Sequence, residues 1–374
     1  MIRFILLLMS MCLFLLSCNK EDNQLTNNSF LKLQGNWQHL PVQNVGQTYD
    51  DHPSYDYLLS HDGQVYLSGT NDDITNLDEA FKVLNNAYLP DTIDADFDKL
   101  FINDLTYKSL IRGMHYFQNK IYVWGDLHYT TSNNTEASML FTYNIEENKV
   151  EENHFFNNID TRKVHKLMTY KGELIAFTEN EQYQKKLICI SCDGSTSLPD
   201  ISSENFSDVF AVDDQLYAIG GNHKLVVFEE ATSLWQLYTP NLNNYQTLYV
   251  FKYNNMTCAL GNWANYSNHL IEITDSGTIA PIAINDDHFY SIPMNDYKIK
   301  VKVSEGRLFI FGDFSFKVGG TTNYDNYLLE YVGNKLVVIE NNLAIPIKDV
   351  ISVNGDILII NSHSVDNLWK YIGN

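Results

Sequence analysis

Eleven histidines and five cysteines are the residues of this chain best suited to metal binding or nucleophilic chemistry, yet few fall into a pattern. Cys189-Ile-Ser-Cys192 has the C-x-x-C spacing of a redox pair or half a zinc site. It sits in LICISCDG, which reads as a strand running into a turn with no helix pattern behind it. A thioredoxin-like role is therefore not expected, and one pair does not make a four-ligand zinc set. Cys258 falls in mid-strand, where a small buried thiol is the ordinary expectation. The histidines form no H-E-x-x-H pair; His128, His223, His269 and His363 share only a place in connections between apolar strands. Asp94, Asp96 and Asp98 alternate as calcium ligands do, but Lys99 and Leu105 stand where an EF-hand loop needs glycine and glutamate. These residues lead us to expect no catalytic set, no metal and no cofactor.

Longer connections carry a different chemistry. Tyr129, Trp263, Tyr266, Phe314 and Tyr324 offer flat faces, and Asn133, Asn134, Asn265, Asp313 and Asp325 offer hydrogen-bonding groups. Sugars present apolar C–H faces ringed by hydroxyls, so aromatic platforms beside amides and carboxylates suit them. Glycan is accordingly the leading ligand class, with Tyr129, Trp263, Tyr266, Phe314, Tyr324 and Asp325 as candidate binding residues. A protein partner and a glycan-modifying enzyme of epimerase or hydrolase type are the alternatives. The formal net charge of −21 argues against nucleic acid as a partner.

The elements that must position these residues repeat. An apolar strand, a tight polar turn and a second apolar strand recur seven times, with turns near Gly63, Asn119, Gly172, Asp214, Asn255, Gly306 and Gly355. Asp62-Gly63 and Asn354-Gly355 are strong hairpin signals. A second strand pair follows most hairpins, as in MLFTYNIEENKVEEN and KLVVFEEATSLWQLY. Four strands per repeat, seven times, is the signature of an all-β, seven-bladed β-propeller. LKLQGNWQHLP reads as a lone strand near the N-terminus and DNLWKYIGN as the third strand of the last repeat, so the former is expected to complete the last blade and remove an open edge. One segment fits poorly: Leu77, Ala80, Phe81, Leu84 and Tyr88 recur at helical spacing, which admits a short inserted helix in place of outer strands of blade 1. Turns of two or three residues leave one face of the ring little material for a site, so the face with the longer connections is expected to be functional.

The repeat resembles kelch repeats best at Leu216 to Trp235, where Gly220-Gly221 follows the apolar strand and Phe228 precedes Trp235 by the kelch aromatic spacing. Phe81 and Tyr88, Tyr143 and Val150, and Tyr331 and Val338 are weaker copies. Elsewhere the double glycine is reduced to single glycines or lost. Ser60-His61-Asp62-Gly63 begins like a sialidase box but departs in spacing and lacks the tryptophan.

The N-terminus concerns location. Arg3 precedes an apolar run from Phe4 to Leu16, short for a membrane span but suited to a secretory signal. Leu15-Leu16-Ser17-Cys18 resembles the lipobox of bacterial lipoproteins, which implies acylation of Cys18 after removal of residues 1–17. Lys20, Glu21 and Asp22 then resemble the surface-export signal of lipoproteins in the Bacteroidota. Residues 18–29 read as a polar tether and 30–374 as one propeller domain. By this resemblance the protein is held in the outer membrane through its N-terminal lipid and faces outward.

Overall fold

A computed structural model describes residues 32–33, 35–40, 54–70, 81–91, 93, 107–129, 136–152, 161–192, 197–238, 245–263, 270–273, 279–281, 289–291, 299–318, 321–332, 335–339, 346–362 and 367–373. Toward the outer ends of several strands only the backbone is described. Cys18, Lys20, Glu21, Asp22, Tyr266, the Asp94–Asp98 stretch, His269 and His363 lie outside these residues.

Turn chemistry sets the architecture. Both central residues of all seven expected turns have positive φ, from Asp62 and Gly63 (48° and 76°) to Asn354 and Gly355 (52° and 83°). Such a two-residue turn has the twist that matches paired strands. Glycine, asparagine or aspartate fills the second position every time because that backbone is strained for other side chains.

The chain enters through β1 (Lys32–Leu33) and β2 (Gly35–His39). Blade 1 is β3 (Ser54–His61), β4 (Gln64–Thr70) and β5 (Phe81–Leu84); blade 2 is β6 (Tyr107–Phe117), β7 (Lys120–Tyr129), β8 (Glu136–Asn144) and β9 (Lys149–Glu152). Blade 3 has three strands, β10 (Lys163–Tyr170), β11 (Glu173–Glu179) and β12 (Lys185–Cys189). Blade 4 is β13 (Asp208–Val212), β14 (Gln215–Ile219), β15 (Leu225–Glu229) and β16 (Leu234–Leu237), and blade 5 is β17 (Tyr245–Tyr253), β18 (Met256–Trp263), β19 (Leu270–Ile273) and β20 (Ile279–Pro281). After β21 (Phe289–Ser291), blade 6 is β22 (Lys300–Ser304), β23 (Arg307–Val318), β24 (Thr321–Val332) and β25 (Lys335–Ile339). Blade 7 is β26 (Ile347–Val353), β27 (Asp356–Asn361) and β28 (Leu368–Gly373), with β2 as its outer strand.

Ring closure follows the sequence expectation. β2 pairs antiparallel with β28 from Gly35↔Gly373 to His39↔Trp369, and Trp37 meets Tyr371 edge to face at 5.1 Å. β1 runs parallel to β25, so the same segment straps blade 6 to blade 7. The core is not one mass. Seven buried clusters fill the seven seams between adjacent blades, among them Leu58, Val65, Ile351 and Leu358 between blades 1 and 7. Each sheet is apolar on both faces because each face meets a neighbour.

That double burial corrects the helical reading over Phe81 to Leu84, while Leu77 and Ala80 lie outside the described residues. Phe81–Leu84 is a strand paired with β4, and the apolar spacing arises because Phe81 and Val83 face blade 2 while Leu84 faces blade 7. The kelch-like aromatic pairs divide. Phe228 sits opposite Trp235, rings 5.4 Å apart, and Tyr143 sits opposite Val150. Tyr331 faces Leu336 instead of Val338, and Phe81 faces Ser68. Gly221 leads a 3-10 turn to His223, and in that turn it is Asn222 and His223 that take positive φ.

Candidate functional site

Counting back five residues from the first turn residue of each inner strand gives Tyr57, Gly113, Lys166, Asp208, Tyr249, Lys300 and Asp349. Counting back six gives Asp56, Arg112, His165, Ser207, Leu248, Ile299 and Lys348. In five blades the second position is a β-bulge: the ladder skips Asp56, Arg112, His165, Leu248 and Lys348. A bulge leaves one residue unpaired and re-aims its side chain. The chain therefore places a collar of polar side chains around its central channel, near the ends of the inner strands that meet the longer connections. In blade 2 the collar needs glycine, since a Cβ on Gly113 would run into the Trp124 ring.

Most of the collar is paired. Lys348 bonds Asp56, and Arg112 Nε donates to Asp126 Oδ2 at 2.8 Å. Asp349, 5 % exposed, accepts from Leu58 N at 2.8 Å, Val350 N at 2.9 Å and Lys302 Nζ at 3.1 Å. Burial, then Asp56 and Asp349, pushes the Tyr57 phenol up to about 12. Burial lowers Lys300, a shift that Asp349 opposes.

On the side of blades 3, 4 and 5 the collar opens into a cavity of about 220 Å³. His165, Lys166, Phe177, Asp208, His223, Thr247 and Tyr249 lie in its wall. Lys166 Nζ donates to both Asp208 oxygens at 2.8 Å and lies 3.8 Å over the Phe210 ring. Arg162 Nη1 donates to Glu179 Oε1 at 3.3 Å, and His165 Nε2 lies 3.5 Å from Glu179 Oε2. Burial, then Lys163, lowers the His165 imidazole, while Glu179 opposes that shift; the ring is neutral near pH 7. Burial and then Asp208 raise the Tyr249 phenol, which stays protonated. Thr247 is fully buried in the cavity wall, and its Oγ1 has no hydrogen-bond partner. The cavity wall thus offers one charge-neutral ion pair, a neutral imidazole, and the phenol and partly exposed ring of Tyr249. It suits an uncharged ligand with many hydroxyls.

A second hollow of about 320 Å³ opens on the turn face between Ser60, Asp62, Lys302 and Ser304. Its hydroxyls serve the fold: Ser304 Oγ donates to Ser352 O at 2.8 Å, and Ser60 Oγ bonds the same carbonyl at 3.3 Å.

Of the residues that sequence reasoning singled out, His223 joins the cavity wall. Tyr129 ends β7 opposite Tyr107, and Trp263 ends β18 opposite Tyr245. Phe314 and Asp325 are direct cross-strand partners, with Tyr324 opposite Ser315. The side chains of these five lie outside the described residues, as does Tyr266 entirely. Residues 312–318 and 321–326 of the expected loop are therefore paired strands of a β-ribbon extending blade 6; apolar and polar residues alternate from Phe314 to Val318, as a strand requires. Cys258 is buried, and burial pushes its thiol up to about 12. Sequence reasoning missed Lys166, Asp208, Thr247 and Tyr249. The signal was positional: a polar residue recurs five or six places before each turn, although its chemistry differs from blade to blade.

No protein-family model matches the chain, and no curated sequence matches it. The chain is similar to several solved structures. The computationally designed Ika8 protein shares 9 % identity at a TM-score of 0.40, covering 93 % of this chain and 100 % of its own. The β-propeller domain of the Trilobed protease from Pyrococcus furiosus shares 9 % identity at 0.43, covering 68 % and 79 %. The N-terminal domain of Nup159 shares 10 % identity at 0.38, covering 92 % and 94 %. By its own sheet topology, the chain is a seven-bladed β-propeller closed by an N-terminal strand.

Proposed function

We propose that this chain is a degenerate kelch-like propeller, tethered to the outer membrane through lipid on Cys18 and displayed outward by Lys20-Glu21-Asp22. Its role is to bind a ligand, with glycan as the class, over the channel mouth. The observation that carries the reading is the cavity of blades 3, 4 and 5, where the partly exposed Tyr249 ring stands beside Lys166, Asp208 and His223. Sugar C–H faces pack on such rings while their hydroxyls find donors and acceptors. The Lys166–Asp208 ion pair there is balanced, which favours a neutral saccharide over a charged one. The extended strands that end at Tyr129 and Trp263, and the ribbon bearing Phe314, Tyr324 and Asp325, leave the ring at this same end and would widen the site.

Glycan-array binding of the full chain, repeated with Asp208→Ala and Trp263→Ala, tests this reading. Each substitution is expected to weaken binding several-fold, since a lost stacking or charged contact is worth about 1 kcal/mol or more. Turnover of a bound sugar would move the assignment to a glycan-modifying enzyme. Absence of glycan binding, together with capture of a defined protein ligand, would move it to an interaction scaffold. For the anchor, Cys18→Ser is expected to abolish detergent partitioning, and alanine at Lys20, Glu21 and Asp22 to remove protease accessibility on intact cells.

A further inference from the structure

We propose that Cys189 and Cys192, once reduced, form a binding site for a zinc-like divalent metal with Glu173 as third ligand, on the turn face of blade 3. The pair is disulfide-linked here, with Cα atoms 5.6 Å apart. The turn from β10 into β11 and the register of β11 with β12 bring Glu173 beside them, so that one ligand atom from each of the three lies within 4.8 Å of the others. All three residues are half-buried, which leaves an open side for a fourth ligand such as water.

Three features go beyond proximity. Cys192 N lies 3.1 Å from Cys189 Sγ and points its hydrogen at it, an arrangement that stabilises a thiolate there. Ser191 Oγ donates to Glu173 Oε2 while accepting from Leu174 N at 2.8 Å, so the carboxylate is oriented by a residue that is itself fixed to the strand. Such outer partners hold ligands in place in metal sites. The bridge spans only two intervening residues, the short-loop case in which cross-linking restrains the unfolded chain least. Blade 3 is already held by its ladders from Lys163 to Cys189.

Two sulfurs and one oxygen favour a borderline-soft ion over magnesium or calcium. With a phosphine as reductant, the sulfur–sulfur bond takes up two electrons, the phosphine gains the oxygen of one water, and two thiols form. The metal then displaces both thiol protons into solvent. Zinc–sulfur bonds of about 2.3 Å in a tetrahedron need the sulfurs about 3.8 Å apart, a separation that side-chain rotation supplies once the bridge is open.

The test is cobalt(II) titration of the full chain, read by thiolate-to-cobalt charge-transfer absorption, followed by zinc competition. Phosphine-reduced protein is expected to bind one equivalent and oxidised protein none. Cys189→Ser with Cys192→Ser should abolish the band while keeping Cys258 as background. Glu173→Gln should retain the band but weaken affinity about tenfold or more, with a smaller loss for Ser191→Ala. No band in the reduced protein overturns the proposal, and so does a band that survives the double serine change. Unchanged affinity in Glu173→Gln also overturns it, since the third ligand would then be elsewhere. The oxidised wild type serves as the folded control should a variant fail to fold.

Discussion

Asp208 and Asp349 occupy the same place in blades 4 and 7, five residues before the turn, and do different work. Each caps the amide that follows it, Val209 or Val350, at 2.8 and 2.9 Å. Asp349 also ties two neighbours together, taking Lys302 from blade 6 and Leu58 N from blade 1, and its side chain is 7 % exposed. Among the described residues, Asp208 takes only Lys166 from a neighbouring blade, and its side chain is 29 % exposed beside the cavity. The collar is thus a seam where it is fully bonded and a site where it is not. A carboxylate with spare lone pairs facing a hollow is available to a ligand; one enclosed by three donors is not.

The widest separation between the two arcs is expected from the closing strand. Deleting residues 35–39 strips the outer strand from β28 and uncovers Tyr371, and it should lower stability by roughly 5 kcal/mol in denaturant titration. A loss below about 1 kcal/mol would mean that blade 7 stands without it. Asp349→Ala should come next, at about 3–5 kcal/mol, because Lys302 loses its buried partner and two amides lose their acceptor. Asp208→Ala should cost about 1 kcal/mol and act mainly on ligand affinity. Equal losses for the two aspartates would erase the distinction between seam and site.

A pH titration sharpens the comparison at a third place. His115, bonded to Thr169 Oγ1 at 2.9 Å across blades 2 and 3, is pushed down to about 4 by burial. The native state then binds fewer protons than the unfolded chain, whose histidine titrates near 6.5. The stability this confers is complete above about pH 6.5 and declines as pH falls toward 4, by roughly 1–3 kcal/mol. His115→Gln should flatten that decline in melts taken from pH 7 to 4. The smallest effect is expected from Asp214→Ala, which removes the exposed bond to Lys171 N between the turns of blades 3 and 4, at about 0.5–1 kcal/mol.

What was legible in the sequence follows from locality. Asp62-Gly63 and Asn354-Gly355 announce their turns because two adjacent residues decide the backbone. All seven turns fall where their letters put them, and Trp37 in a strand without neighbours pointed to closure. Phe81 and Leu84 misled because a strand buried on both faces has no period-two signature. The collar stayed hidden because its position is constant and its chemistry is not: Tyr57, Lys166 and Asp349 share a geometry that no residue pattern spells. Glu173 and Cys189 meet through a strand ladder, so the short motif Cys189-Ile-Ser-Cys192 carries only part of its surroundings.

The pairing of β2 with β28 also has a temporal meaning. Its partners are more than three hundred residues apart, so this ladder closes the longest loop in the molecule and carries the largest loop entropy of any in the ring. Six blades can be assembled from contacts within about fifty residues, but the seventh has to wait for β28 to be made. Until then the apolar faces of blade 7 and blade 1 are without their lasting cover, and the interval between synthesis of Trp37 and of Tyr371 is when this protein is most open to aggregation and proteolysis.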